Sequence, residues 1–325
     1  MKLRFFGRHI KKNNKEYFSY SGTGFEFLIT PKSNDYGFSI SLTSELITQE
    51  CQFVAIYIND VFFSKEKLVS GLNVINVSLA KQSNHTHVKI IKLNEAYISS
   101  IYLNEVTLKN AEFENIEENN KPLIGFFGDS LTCGFGLLDF HGAGFKMETE
   151  DFTKSYPYLT ATKLNMDYLA VAGSGISISI PTYVDKLFDE IYDTVDMYEK
   201  CEPDRLLNYA VVNIGTNDNS GYRQIVKDEN KQKELNLFKQ RYISLIDRII
   251  KDNPNVKIVM MYLMLPLEED IINAIKDVFE KVQLSYSNEI KLLECVPNSD
   301  GGGCHPYWTA HEKTSELLIK MIKSF

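Results

Sequence analysis

Hydrophobic and polar positions follow two rhythms along this chain, and the change between them falls near residue 110. In the first stretch apolar and polar residues alternate with the period of a half-buried strand. Phe25-Glu26-Phe27-Leu28-Ile29-Thr30 is rich in aromatic and branched residues, and Phe38-Ser39-Ile40-Ser41-Leu42 alternates without a break. Val74-Ile75-Asn76-Val77-Ser78-Leu79 and His87-Val88-Lys89-Ile90-Ile91-Lys92-Leu93 repeat the pattern, and Tyr97-Ile98-Ser99-Ser100-Ile101-Tyr102-Leu103 extends it. Phe53-Val54-Ala55-Ile56-Tyr57-Ile58 stops at Asn59-Asp60 and Val61-Phe62-Phe63 resumes at once, which predicts a hairpin. Many short strands separated by turn signals predict a β-sandwich domain over residues 1–110.

Residues 111–121 break the alternation. Glu112, Glu114, Glu117 and Glu118 mix with Asn115, Asn119 and Asn120 ahead of Pro122. A polar, acidic stretch of this kind predicts a linker to a second domain over residues 122–325. From Leu123 onward, short apolar runs alternate with helical patterns. Strands are predicted at 123–127, 168–172, 209–214, 256–263 and 290–295, and helices at 156–164, 183–198, 233–251, 268–285 and 308–323. In the last helix Thr314, Leu317, Leu318, Met321 and Ile322 share one face. Strand-helix alternation implies right-handed βαβ units and an α/β domain with a mostly parallel sheet.

Composition narrows the class. With a formal charge of -8 over 325 residues, nucleic acid or an anionic membrane is not expected as the main partner. The five cysteines, Cys51, Cys133, Cys201, Cys295 and Cys304, form no Cys-x-x-Cys pair. Neither a disulfide framework nor a zinc site is predicted, and free thiols fit a reducing compartment. The basic start, Met1-Lys2-Leu3-Arg4-Phe5-Phe6-Gly7-Arg8, lacks the apolar run of a signal peptide. No apolar run is long enough to span a bilayer. The cytoplasm is therefore the expected location, with secretion open if a leader has been removed.

Four stretches fall at the ends of predicted strands: Gly128-Asp129-Ser130, Val171-Ala172-Gly173-Ser174-Gly175, Ile214-Gly215-Thr216-Asn217-Asp218, and Asp300-Gly301-Gly302-Gly303-Cys304-His305-Pro306. A doubly wound sheet brings strand ends to one edge, where such folds keep their active sites. Acyl transfer needs such a set. A serine hydroxyl is a weak nucleophile that requires an adjacent base, and histidine titrates near the working pH. A tetrahedral oxyanion needs donors fixed in advance, which glycine N–H groups and an asparagine amide can supply. Each stretch alone is equally an ordinary structural feature: a capped helix at Ser130, turn glycines at Gly173 and Gly175, an Asx turn at Asn217-Asp218, a bonded loop residue at His305. Their ordered joint occurrence is the specific signal.

These blocks resemble those of the SGNH (GDSL-like) hydrolases over residues 123–325. The resemblance implies a flavodoxin-like α/β/α domain, Ser130 as nucleophile and His305 as general base. It also implies an oxyanion hole of Ser130 N–H, Gly173 N–H and Asn217 Nδ2, with no cofactor. Gly7-Arg8 and Ser21-Gly22-Thr23-Gly24-Phe25-Glu26-Phe27 resemble the jelly-roll-like β-domain of carbohydrate esterase family 2, which deacetylates sugars. That family would make this chain an esterase of carbohydrate O-acetyl groups, acting on a small-molecule or oligosaccharide ester. A lysophospholipase or thioesterase, or a catalytically vestigial carbohydrate-binding protein, are the rival readings. One departure stands out. The family places an acid two or three residues before the histidine, where this chain has Gly303 and Gly302. His305 is then oriented either by Asp300 or by the backbone carbonyl of Gly302 or Gly303, and the carbonyl is preferred because three glycines fix Asp300 poorly. Tyr307 and Trp308 are candidate pocket walls or core packing. Residues 137–151 read as a lid or a substrate-contacting loop. His311 reads as a surface residue, and His85 and His87 as neighbours on one strand face. Asp129 reads as a carboxylate bonded to loop N–H groups.

Overall fold

The computed structural model describes residues 2–81, 83–117 and 120–325; Glu118 and Asn119 of the expected linker lie outside the described residues. The chain divides into two compact units, Met1–Asn120 and Lys121–Phe325.

The first unit is built of β1 (Arg4–Phe6), β2 (His9–Lys12), β3 (Lys15–Phe18), β4 (Gly24–Pro31), β5 (Asp35–Leu46), β6 (Gln52–Ile58), β7 (Val61–Leu68), β8 (Gly71–Ala80), β9 (Thr86–Lys92), β10 (Ser99–Lys109) and β11 (Ala111–Glu114). One sheet runs β1-β4-β9-β6-β7, with β11 also on β4, and the other runs β2-β3-β10-β5-β8. The alternation explains how they pack. Phe25, Phe27 and Ile29 of β4, Val54 and Ile56 of β6, and Val88 and Ile90 of β9 meet Phe38, Ile40 and Leu42 of β5 and Ile101 and Leu103 of β10 in one apolar cluster. The result is an all-β, jelly-roll-like sandwich. At the hairpin between β6 and β7, Asn59 (φ 51°) and Asp60 (φ 61°) are both left-handed, as a tight two-residue turn requires.

Two expectations change here. Residues 111–114, expected as linker, form β11 on β4. Ala111 and Phe113 pack against the apolar cluster. Glu112 pairs with Lys32 at 2.7 Å, and Glu114 bonds Thr30 and His85. The acidic composition masked a short alternation. Nor are His85 and His87 both on one strand, since β9 begins at Thr86. His85 precedes β9 and its Nδ1 lies 2.7 Å from Glu114, whereas His87 Nε2 lies 2.9 Å from Glu26.

The second unit contains β12 (Leu123–Gly128), α1 (Ser130–Cys133), α2 (Tyr156–Lys163), β13 (Asp167–Ala172), α3 (Phe188–Ile191), β14 (Tyr209–Asn213), α4 (Thr216–Gln224), α5 (Lys231–Asp252), β15 (Lys257–Tyr262), α6 (Glu269–Ser285), β16 (Ile290–Glu294) and α7 (Trp308–Lys323). Its strands are all parallel in the order β13-β12-β14-β15-β16. This is the flavodoxin-like order, and its switch point lies at β12. Helices α2 and α7 pack together, as do α5 and α6. Ile124, Phe126 and Phe127 of β12 are fully buried or nearly so, which accounts for the unbroken apolar run. Among the described residues no helix is long and apolar enough to cross a membrane.

The helix expected over 183–198 is reduced to the single turn α3. Ser177 and Leu187 form a parallel bridge, Thr194 and Lys200 an antiparallel one, and Met197 is left-handed at φ 75°. Thr194 Oγ1 donates to the Ile191 carbonyl and accepts from Met197 N–H, so local side-chain bonds end the helix.

Gly128 sits in register between Ala172 and Asn213. A Cβ there would stand 2.8 Å from the Asn213 carbonyl oxygen and closer still to Thr132 Oγ1. Gly128→Ala is expected to lower unfolding free energy by about 1–3 kcal/mol. Urea denaturation checks this, and an unchanged midpoint would mean that the two strand ends can part freely.

Candidate active site

Ser130 follows β12 directly and opens α1. Asp129 caps that turn, its Oδ1 accepting from Leu131 N–H at 3.0 Å. Ser130 is 5% exposed, at the carboxyl edge of the sheet. The loop after β16 brings His305 to it, with His305 Nε2 2.8 Å from Ser130 Oγ. On the other side of the ring, Nδ1 lies 3.0 Å from the Gly303 carbonyl oxygen. A carbonyl can only accept, so Nδ1 carries the proton and Nε2 is left to accept from the serine hydroxyl.

The loop geometry selects Gly303 among the expected partners. Gly301 N–H donates to the His305 carbonyl at 2.8 Å, and His305 N–H donates to the Gly302 carbonyl at 3.2 Å. Gly303 (φ 60°) and Cys304 (φ 58°) are consecutive left-handed residues, and this reversal turns the Gly303 carbonyl back onto the imidazole. Asp300 does not reach His305. Its exposed carboxylate accepts from Asn298 Nδ2 at 2.6 Å. Asn298 Oδ1 also accepts from Tyr307 N–H at 2.9 Å, a bracing role that the sequence reading missed.

Asn217 lies in the first turn of α4 and is 6% exposed. Its Nδ2 donates to the Ile176 carbonyl at 2.8 Å and, at a longer 3.4 Å, to Asp129 Oδ2. The first bond fixes the amide; the second places it beside the turn that carries Ser130. Gly173 follows β13, and its carbonyl accepts from Ile176 N–H at 3.2 Å, in the loop that holds Asn217. Asp218 is fully buried and accepts from the N–H groups of Ile178, Ser179 and Ile180 at 2.7–2.9 Å. It locks the 178–180 segment to α4, so both residues of the expected Asx pair have separate structural partners. Burial raises the Asp218 pKa and these donors oppose the rise.

Tyr307 and Trp308 are half-buried, with ring centroids 5.9 Å apart. Trp308 N–H donates to the Leu137 carbonyl at 3.0 Å. The 137–151 loop therefore packs beside the start of α7. His311, expected on the surface, is 1% exposed. Its Nδ1 accepts from Tyr156 N–H at 3.3 Å, and its ring stacks on Tyr156 at 11°. Among the described residues no cluster of His, Cys, Asp or Glu could hold a metal ion.

Burial pushes the pKa of both histidines down. For His305 the Gly303 carbonyl opposes the shift. For His311, burial and then the neighbouring His305 bring the value to about 3.

The GDSL-like lipase/acylhydrolase family model matches residues 126–290. The chain belongs to this family. The match spans Ser130, Gly173 and Asn217 and ends before His305. In this family member, then, the pairing of His305 with Ser130 rests on the geometry. No curated protein matches the chain. Among solved structures, a family two carbohydrate esterase from Clostridium thermocellum in complex with cellohexaose is similar at TM-score 0.88 and 18% identity, covering 99% of this chain and 98% of that one. An acetyl xylan esterase, Est2A, from the rumen bacterium Butyrivibrio proteoclasticus is similar at TM-score 0.86 and 19% identity, over 99% and 95%. A family two carbohydrate esterase from Cellvibrio japonicus gives TM-score 0.82 and 18% identity, over 99% and 95%. At these identities the likeness is one of fold.

His311 carries a consequence for acid stability. A buried histidine whose folded pKa lies far below 6.5 leaves the unfolded chain to bind the extra proton. Its stabilising contribution is complete above about pH 6.5 and is lost as pH falls toward about 3. Between pH 6.5 and 5 this loss is expected to be roughly 1–2 kcal/mol. His311→Gln should flatten the fall in urea midpoint over that interval. An equal slope in both proteins would assign the acid sensitivity elsewhere.

Proposed function

We propose that this acylhydrolase-family member is a serine esterase that removes short acyl groups, O-acetyl above all, from carbohydrates. The observation that carries the reading is the 2.8 Å contact between Ser130 Oγ and His305 Nε2, with the proton held on the far nitrogen by the Gly303 carbonyl. His305 Nε2 takes the hydroxyl proton as Ser130 Oγ attacks the ester carbonyl. The oxyanion accepts from Ser130 N–H, Gly173 N–H and Asn217 Nδ2, the last exchanging its long bond to Asp129 for the developing charge. Collapse expels the sugar alkoxide, which takes the proton from Nε2. Water, deprotonated by the same nitrogen, then attacks the acyl-enzyme, and acetate leaves with Ser130 restored. No step calls for a metal or an organic cofactor.

The substrate class rests on the fold. Two family two carbohydrate esterases, one holding cellohexaose, share the fold of almost the whole chain. The intact Ser130–His305 contact weighs against a vestigial, binding-only protein. The five free cysteines, four of them buried, suit action in a reducing compartment on imported oligosaccharides or metabolites.

A fluorophosphonate probe should label the wild-type chain and fail to label Ser130→Ala; labelling of Ser130→Ala, or none of the wild type, would sink the serine-esterase reading. Hydrolysis of p-nitrophenyl esters should favour acetate, whereas a strong preference for long acyl chains would indicate a lysophospholipase or thioesterase. Because the His305 pKa is lowered, the neutral base persists below pH 6.5. The acidic limb of kcat/KM should therefore lie below that value. Asp300→Ala should keep activity within about threefold of wild type, while His305→Ala should lose at least about 100-fold. A loss in Asp300→Ala as deep as in His305→Ala would restore a triad.

A further inference from the structure

We propose that Phe135 is a positioning residue for His305, and that with the loop it begins it replaces the acid that Gly302 and Gly303 leave out. This deepens the Ser130–His305 reading and rests on it.

A hydrogen bond at Nδ1 fixes one atom of an imidazole and leaves the tilt of the ring free. The second restraint is a ring face. The Phe135 ring lies over His305 with centroids 4.4 Å apart at 40°, and Phe145 stacks on Phe135 at 4.3 Å and 18°. Phe135 is thus itself held between two rings. It also touches the residue that supplies the carbonyl: a Cβ on Gly303 would stand 3.0 Å from Phe135 Cε1. Its own N–H donates to the Ser130 carbonyl at 3.1 Å. One residue therefore bonds the nucleophile's backbone, covers the base and walls the base's hydrogen-bond partner.

The loop that follows clasps the glycine segment. Gly302 N–H donates to the Gly136 carbonyl and Gly303 N–H to the Ala143 carbonyl, each at 2.9 Å. The two backbones approach so closely that a Cβ on Gly136, left-handed at φ 61°, would stand 2.5 Å from the Gly302 carbonyl oxygen. Asp139 pairs with Lys146 at 3.1 Å across this loop, and His141 Nδ1 lies 2.9 Å from the Ser299 carbonyl oxygen. The loop expected as a lid or substrate contact thus also holds the segment that bears His305.

The charged and titratable groups around His305 leave the ring contact as the adjustable element. His311, from α7, stays uncharged in its buried site. Asp129 is engaged by Leu131 N–H and Asn217, and Asp139 is tied to Lys146. Cys304 is exposed beside the imidazole on its own loop. Burial is the dominant influence on the His305 pKa, so removing the ring that covers it admits water and raises that pKa.

The test uses the full chain with p-nitrophenyl acetate. Phe135→Ala should lower kcat about 10- to 100-fold with KM within about twofold, and should move the acidic limb of kcat/KM upward toward 6.5. Phe135→Tyr, which keeps the ring face, should restore both. If Phe135→Ala does not fold, Phe135→Leu keeps apolar volume without the ring and should show the same shift. A kcat near wild type, a loss in KM alone, or a kcat loss with an unmoved limb that Phe135→Tyr does not repair would each overturn the proposal. An inactive wild type or an active Ser130→Ala would overturn the esterase reading together with it. An active wild type and a dead Ser130→Ala beside indifferent Phe135 variants would remove this proposal alone.

Discussion

The bond between Ser130 Oγ and His305 Nε2 joins residues 175 positions apart, and it runs from the serine hydroxyl to the imidazole only in one tautomer of the ring. The Gly303 carbonyl imposes that tautomer because it has no proton to give. Everything around it serves to present that carbonyl at the right angle: two left-handed residues in succession, a backbone amide bonded to the Gly302 carbonyl, and an Asn298 side chain that anchors Tyr307. A carboxylate can orient an imidazole from several directions through either oxygen. A carbonyl on a glycine segment needs its whole loop fixed instead, which is why so many backbone bonds converge on residues 301–303.

The sheet order brings the other site groups within reach. In the order β13-β12-β14-β15-β16 the strand that leads to Ser130, β12, lies between β13 and β14. Ser130, Gly173 and Asn217 follow those three neighbours, so parallel register alone delivers them to one edge. His305 has no such guarantee. It follows β16, at the far end of the sheet, and reaches Ser130 through the loop ahead of α7, a helix packed on α2.

Much of this was legible because burial writes periodicity into a chain. Phe38, Ile40 and Leu42 alternate because one face of β5 meets the sandwich core, and Ile124, Phe126 and Phe127 form an unbroken run because β12 is covered on both faces. Where polar bonds rather than burial decide, the pattern is silent. Helix α4, Thr216–Gln224, has no apolar stripe and is tied down by the carboxylate of Asp218. The segment 183–198 has apolar residues at helical spacing but is held as loop by backbone bridges. His311 was in fact signposted: it shares the stripe of Thr314, Leu318 and Ile322, each buried in α7. Its residue type pointed to the surface and its spacing to the core, and spacing prevailed. The choice of acceptor for Nδ1, Gly303 over Asp300, depends on φ values that composition could only suggest through three glycines.

Replacing a carboxylate by a carbonyl has a chemical consequence. Under the proposed mechanism His305 becomes an imidazolium in the attack step, and a carbonyl meets that charge with a dipole instead of a full negative charge. Burial adds to the penalty, which is the same effect that lowers the His305 pKa. A lowered pKa makes His305 a weaker base toward Ser130 but a stronger acid toward a departing alkoxide. Under the proposed mechanism the balance of work therefore moves from proton abstraction to leaving-group protonation and oxyanion stabilisation. Sugar O-acetates suit that balance: the carbonyl is reactive enough to need modest activation of the nucleophile, and the leaving alkoxide gains from a strong acid. An amide would make the opposite demand, since its unreactive carbonyl needs the strongest available base.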